Sequence, residues 1–162
     1  MKKYIKIKIV DTDKEDIDPL SSPINFIMEG EQIYKTAYIN ADEIYMIVSL
    51  KITKDIYYYI FTNSFFYTAI QDKDVNETEN IIDMDTFIEL SLNSENKEFI
   101  SLNCILFDKE HNIKIGDSKV FLNKKVIDSF YEAEGSLYVL LNTGQSLQLE
   151  HNMSYIEQIL FK

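Results

Sequence analysis

Two histidines, one cysteine and a large excess of carboxylates are the side chains through which this chain could do chemistry. The densest carboxylate run is DTDKEDID, Asp11 to Asp18. Read as a calcium loop, it puts Asp11, Asp13 and Glu15 where an EF-hand needs its first three side-chain oxygens. The match stops there, because Asp16 stands where glycine must turn the loop and Ser22 where a bidentate glutamate must close it. No metal is expected at this run. It reads as a solvated loop, with recognition of a basic partner as its functional alternative. Zinc is not expected either, since one cysteine and two histidines do not build a four-ligand site.

Nucleophilic catalysis needs a nucleophile held against a base that a third group orients. Cys104 shares a strand face with Ile100, Leu102 and Leu106 and reads as apolar filler, while His111 falls in a polar turn and His151 at the end of the last strand. Four glycines, none clustered, leave no loop that could cradle a phosphate. The expectation is therefore a chain with no cofactor and no enzymatic activity. Paired carboxylates are the open catalytic alternative, because sequence does not reveal which of 27 acids meet in space.

The net charge is −11, every basic residue is a lysine, and the acidic excess runs through both halves. Nucleic-acid binders cluster basic groups and commonly use arginine forks, so direct binding to nucleic acid is not expected. Lys2, Lys6 and Lys8 read as protection of a sheet edge rather than as a phosphate track. A surface of carboxylates instead steers towards lysine and arginine patches on another protein. Two segments are candidates for that contact. The first is QDKDVNETENIIDMD, residues 71–85, with Asp72, Asp74, Glu77, Glu79, Asp83 and Asp85. The second is YYYIFTNSFFY, Tyr57 to Tyr67, in which Tyr57, Tyr59 and Phe61 lie on one side of a strand and Tyr58 on the other. The competing reading of the second is a central strand covered on both faces.

The elements that must position these groups are mostly strands. Ile5, Ile7 and Ile9 alternate with Lys6 and Lys8, the period of a half-buried strand. Residues 32–40, EIYMIVSLKI, DIYYYIFT and FFYTAI follow as a meander broken by short polar stretches. Residues 71–85 read as a loop or hinge and as the candidate boundary between subdomains, within one domain spanning residues 1–162. Beyond it, Ile88, Leu90 and Leu92 alternate with Phe87, Glu89 and Ser91, which predicts a strand hairpinned to the one carrying Ile100 to Leu106. VFLN, VIDSFYEA, LYVLLN and SLQLE continue the pattern, with turns at Gly135-Ser136 and Thr143-Gly144. Ser154 and Glu157 form a capping-box pattern ahead of a short terminal helix. One internal similarity stands out: YINADEI (Tyr38 to Ile44) and FLNKKVI (Phe121 to Ile127), each leading into a hairpin of similar length. Duplication explains it, and so does a composition rich in Ile, Asn, Lys and Tyr. The fold class expected is mainly β with some α, an antiparallel meander, sandwich or partly open barrel with a C-terminal helix, and two related β units as one way of building it.

MKKYIKIKIV lacks an uninterrupted apolar stretch and a cleavage site, and a lone cysteine suits a reducing compartment, so a cytoplasmic protein is expected. No apolar run approaches the roughly 18 residues that cross a bilayer. The function expected from these properties is protein binding: an acidic inhibitor that occupies the basic, nucleic-acid-binding surface of a partner. Small acidic phage or mobile-element proteins that block defence nucleases in an anti-CRISPR-like way are of this general type, and so are immunity proteins against toxins. No motif carries that comparison. The alternative is an assembly subunit that homo-oligomerises through β edges and the aromatic patch.

Overall fold

The computed structural model describes residues 2–10, 34–52, 55–95, 98–108 and 112–160. The carboxylate run at 11–18, the Ser22 position and His111 lie outside them. Eleven strands among the described residues belong to one sheet: β1 (Tyr4–Val10), β2 (Tyr34–Asn40), β3 (Ile44–Ile52), β4 (Asp55–Thr62), β5 (Phe66–Ile70), β6 (Ile81–Ile82), β7 (Phe99–Asp108), β8 (Ile113–Asn123), β9 (Ile127–Ala133), β10 (Ser136–Leu141) and β11 (Ser146–Leu149). Two α-helices among the described residues accompany them, α1 (Met84–Asn93) and α2 (Met153–Leu160). The order across the sheet is β2-β1-β5-β4-β3-β8-β7-β11-β10-β9, with β6 parallel to β1 and the other pairs antiparallel. The chain is thus mainly antiparallel β with a short C-terminal helix.

That order is one pattern written twice. The first five strands run β2-β1-β5-β4-β3, and β7 to β11 run β8-β7-β11-β10-β9, the same permutation, each followed by a helix. The register agrees residue by residue. Tyr4 pairs with Asn40 and Phe99 with Asn123; Ile9 pairs with Ala69 and Cys104 with Leu149. Each asparagine ends its strand at a single 3₁₀ turn, and its side chain accepts the N–H two residues on, Asp42 after Asn40 and Lys125 after Asn123. The chain then re-enters the sheet at Ile44 and at Ile127, and a register shift interrupts the first hairpin at the same place in both units. Three backbone bonds outside the ladders recur as well: Ala41 to Lys3 and Lys124 to Glu98, Asn63 to Glu43 and Asn142 to Val126, Thr62 to Phe65 and Leu141 to Gln145. The YINADEI and FLNKKVI similarity therefore marks two related β units.

The units bury opposite faces of the sheet. One core gathers Ile5, Ile7, Ile9, Ile44, Ile47, Tyr58, Ile60, Met84 and Phe87. The other gathers Met46, Val48, Leu50, Tyr59, Phe61, Leu102, Cys104, Val120, Leu137, Val139 and Ile156. Alternation along β3 and β4 sends successive residues to the two cores, so these strands are apolar on both sides. The covered-strand reading of the tyrosine run is the one the structure supports.

Five expectations are corrected. Phe87 to Leu92 is helical, within α1, because Asp83 caps it by accepting the Thr86 N–H at 2.8 Å and because Met84 and Phe87 are buried at helical spacing. Residues 71–85 are not only loop, since Ile81–Ile82 pairs with β1. β1 is no edge: β2 covers one side and β5 and β6 the other, while Lys6 reaches Asp72 at 4.0 Å and the Asp74 carbonyl at 3.4 Å. The terminal helix is capped by Asn152, whose Oδ1 accepts the Tyr155 N–H at 2.9 Å, rather than by Ser154. The β9–β10 turn is centred on Glu134 and Gly135, both at positive φ, as a two-residue I′-type hairpin requires.

Because Asp83 also places a negative charge at the positive end of α1, Asp83→Ala should lower unfolding stability by about 1 kcal/mol and Asp83→Asn by less. Urea denaturation of the two variants measures both.

Candidate partner-binding cleft

Of the candidate catalytic residues, Cys104 and His151 are described, and both make structural contacts. Cys104 is fully buried, and burial, with Glu150 nearby, pushes its thiol up to about 12. His151 continues the β7–β11 ladder where β11 stops: Asn103 gives its carbonyl to the Glu150 N–H and donates its own N–H to His151 Nε2 at 2.8 Å. The ring stacks on Tyr155, centroids 4.2 Å apart. Burial holds the imidazole below its ordinary value, against the opposing pull of Glu150. No group of three or more His, Cys, Asp or Glu among the described residues could hold a metal ion, and no helix among them is long and apolar enough to cross a membrane.

The six acids of 71–85 divide into two kinds. Asp72 is buried beside Lys6 and accepts the Asp74 N–H at 2.9 Å, and Asp83 caps α1. Glu77 takes the Thr86 hydroxyl at 2.5 Å and the Asp83 N–H at 3.4 Å, which ties the loop to the first turn of α1. Asp74, Glu79 and Asp85 are exposed, and Asp85 accepts from Gln71 Nε2 at 3.1 Å. The aromatic candidates divide as well. Tyr59 and Phe61 belong to the core, and only Tyr57 reaches the surface.

Tyr57 lines a cleft of about 480 Å³ with Tyr34, Ile56, Tyr58, Ile70, Asp55, Gln71 and Lys73. The starts of β2 and β4 and the end of β5 meet there, since Tyr57 pairs with Ile70 and Ile70 with Lys8. Ile56 is 48 % exposed on its wall. Burial first, then Tyr57 and Asp55, raise the Tyr34 phenol above its ordinary value; burial first, then Asp85 and Asp83, raise Tyr58 to about 12. Both phenols are therefore neutral donors at neutral pH, in a field set by carboxylates. Gln71 links the cleft wall to Asp85, so the structure brings Tyr57 and the acidic segment together. Tyr34, Ile56, Tyr58 and Asp55 were not among the residues expected here. Period-two spacing assigns Tyr58 to the other face from Tyr57, and nothing local reports that the starts of β2 and β4, with β1 and β5 between them, line one cleft.

A second cleft, about 370 Å³, lies between α1 and the two asparagine turns. Lys3, Lys125, Asp42 and Glu98 line it together, so its charge is mixed. Compared with protein-family models, with curated proteins and with solved structures, the chain matches none.

Two outcomes follow from the buried groups. A thiol reagent should leave Cys104 unmodified in the native chain at pH 8 and label it fully in denaturant; mass measurement reads both. The neutral His151 imidazole is the form that accepts a bond, so stability is full above the unfolded value of about 6.5 and falls as pH drops through the lower folded value. His151→Ala should flatten that part of the pH dependence of the melting temperature.

Proposed function

We propose that this chain is a non-enzymatic, cytoplasmic protein-binding module that inhibits its partner by occupying a basic, nucleic-acid-binding surface. A defence nuclease opposed by a phage or mobile element is such a partner, as is a toxin opposed by its immunity protein. The observation that carries the reading is the tyrosine cleft bordered by Asp55 and joined to the exposed Asp74, Glu79 and Asp85 segment in a chain of net charge −11. A lysine or arginine side chain entering the cleft meets aromatic faces, worth about 0.5–1 kcal/mol at an exposed site, and a carboxylate field that steers its approach. Asp72 and Asp83 hold the segment through its own backbone and Lys6, which is why the presented acids, not the whole cluster, carry the contact.

The test uses a lysine- and arginine-rich peptide and, in parallel, basic nucleases captured on the immobilised chain at low salt. Asp55→Asn, Asp74→Asn, Glu79→Gln and Asp85→Asn combined should weaken peptide binding roughly tenfold, at about 0.3–0.4 kcal/mol each. The same variant should show a shallower salt dependence, and Tyr57→Ala should weaken binding at every salt concentration. A captured nuclease should lose activity in proportion to bound chain. Affinity indifferent to salt and to all five substitutions would remove the cleft and its acids from the account.

A further inference from the structure

The two β units share one strand ladder, β3 against β8, with Met46 opposite Leu122, Ile47 opposite Phe121, Val48 opposite Val120 and Ser49 opposite Lys119. In the repeat, β9 is the counterpart of β3 and β2 the counterpart of β8. These counterparts are the two ends of the sheet: among the described residues nothing pairs with the outer side of β2 or of β9. Among the described residues the sheet therefore ends in the two halves of a junction it already makes once. We propose that a second copy of this chain docks head to tail, its β2 adding to β9 as β8 adds to β3.

The repeat sets the register. Ser129 falls opposite the second copy's Ile39, Phe130 opposite its Tyr38, Tyr131 opposite its Ala37 and Glu132 opposite its Thr36, the counterparts of the four pairs above. Side chains at these positions suit the contact. Tyr38, 55 % exposed in the free chain, occupies the place of Phe121, which packs beside Ile47 on the core of the neighbouring unit, and Phe130 occupies the place of Ile47. Tyr131, 39 % exposed, stacks on Tyr138 with centroids 5.3 Å apart, a flat aromatic face where Val48 and Tyr59 stand in the first unit. Aromatic pairs across strands are among the stabilising ones. Ser129 and Glu132 replace Met46 and Ser49, so this junction buries less apolar surface than the internal one and is reversible where the internal one is permanent. A heterologous contact of this kind propagates into a filament or closes into a ring. This inference stands apart from the inhibitor reading, because β2's outer side and β9 are not the acidic cleft.

Disulfide trapping in the full chain tests it. Opposed residues on paired strands bring their Cα atoms to about 4.5–5.5 Å, within disulfide reach, and Cys104 is buried and silent. Tyr38→Cys and Phe130→Cys are made separately, mixed under oxidising conditions at high salt to screen like charge, and followed by mass. The mixture should give a covalent dimer that neither variant gives alone, and Tyr38→Cys/Phe130→Cys in one chain should give a ladder of higher oligomers or a closed ring. Sedimentation of the unmodified chain should show mass rising with concentration, and Tyr38→Lys should abolish the rise without lowering the melting temperature. A chain that stays monomeric into the millimolar range, or a cross-link formed by either cysteine variant alone, would overturn the proposal.

Discussion

The pairing of β3 with β8 is the contact on which the rest of the molecule depends. It is short, from Met46–Leu122 to Ser49–Lys119, yet it turns β3 from an edge into an interior strand. Once β3 is interior, both of its faces are dry: Met46, Val48 and Leu50 join one core and Ile44 and Ile47 the other. Each fully buried aliphatic side chain of this kind contributes roughly 1.5–3 kcal/mol of transfer free energy. Without the junction, Met46, Val48, Leu50 and Tyr59 would lie on the open back of the first unit, and the core that takes them would lose one wall.

The repeated asparagine corner shows how little identity a duplicated backbone needs. An asparagine that caps a single 3₁₀ turn and an isoleucine that re-enters the sheet suffice at both corners, while the turn itself reads Ala-Asp-Glu in one and Lys-Lys-Val in the other. The rest of the unit has diverged according to what covers it. Met46, Val48 and Leu50 are buried against the neighbouring unit; of their counterparts, Ser129 is half-buried and Tyr131 and Ala133 are exposed, and all three are smaller or more polar. The connections to the helices have diverged too. The first unit spends residues 71–83 on an acidic excursion that adds β6 and ends at a capping aspartate, whereas the second passes from β11 to α2 in three residues, Glu150, His151 and Asn152.

That excursion explains why the acids of 71–85 are not equivalent. A carboxylate among backbone N–H groups is a structural acceptor first, and Asp72, Glu77 and Asp83 are used this way to hold the segment against β1 and α1. The order they impose is what leaves Asp74, Glu79 and Asp85 facing outward and brings Asp85 to Gln71 at the cleft wall. Electrostatic presentation and local folding are thus carried by neighbouring members of one cluster.

Sequence alone determined what depends on near neighbours along the chain. Strand alternation at Ile5, Ile7 and Ile9, the extents of the strands from β2 to β5, the apolar burial of Cys104 and the terminal helix are local patterns, and each follows from a two-residue or 3.6-residue period. The same period misled at Phe87 to Leu92, where six residues fit either alternation and only the Asp83 cap with the burial of Met84 and Phe87 decides for a helix. Tertiary structure decided which strands are neighbours. Whether Tyr59 faces solvent or core depends on β8 arriving beside β3, more than fifty residues after it, and whether Tyr34 and Tyr57 share a cleft depends on β5 and β1 lying between β4 and β2. Such contacts join residues far apart in the chain through backbone hydrogen bonds that any side chain can make, so they leave no local trace in the residues they join.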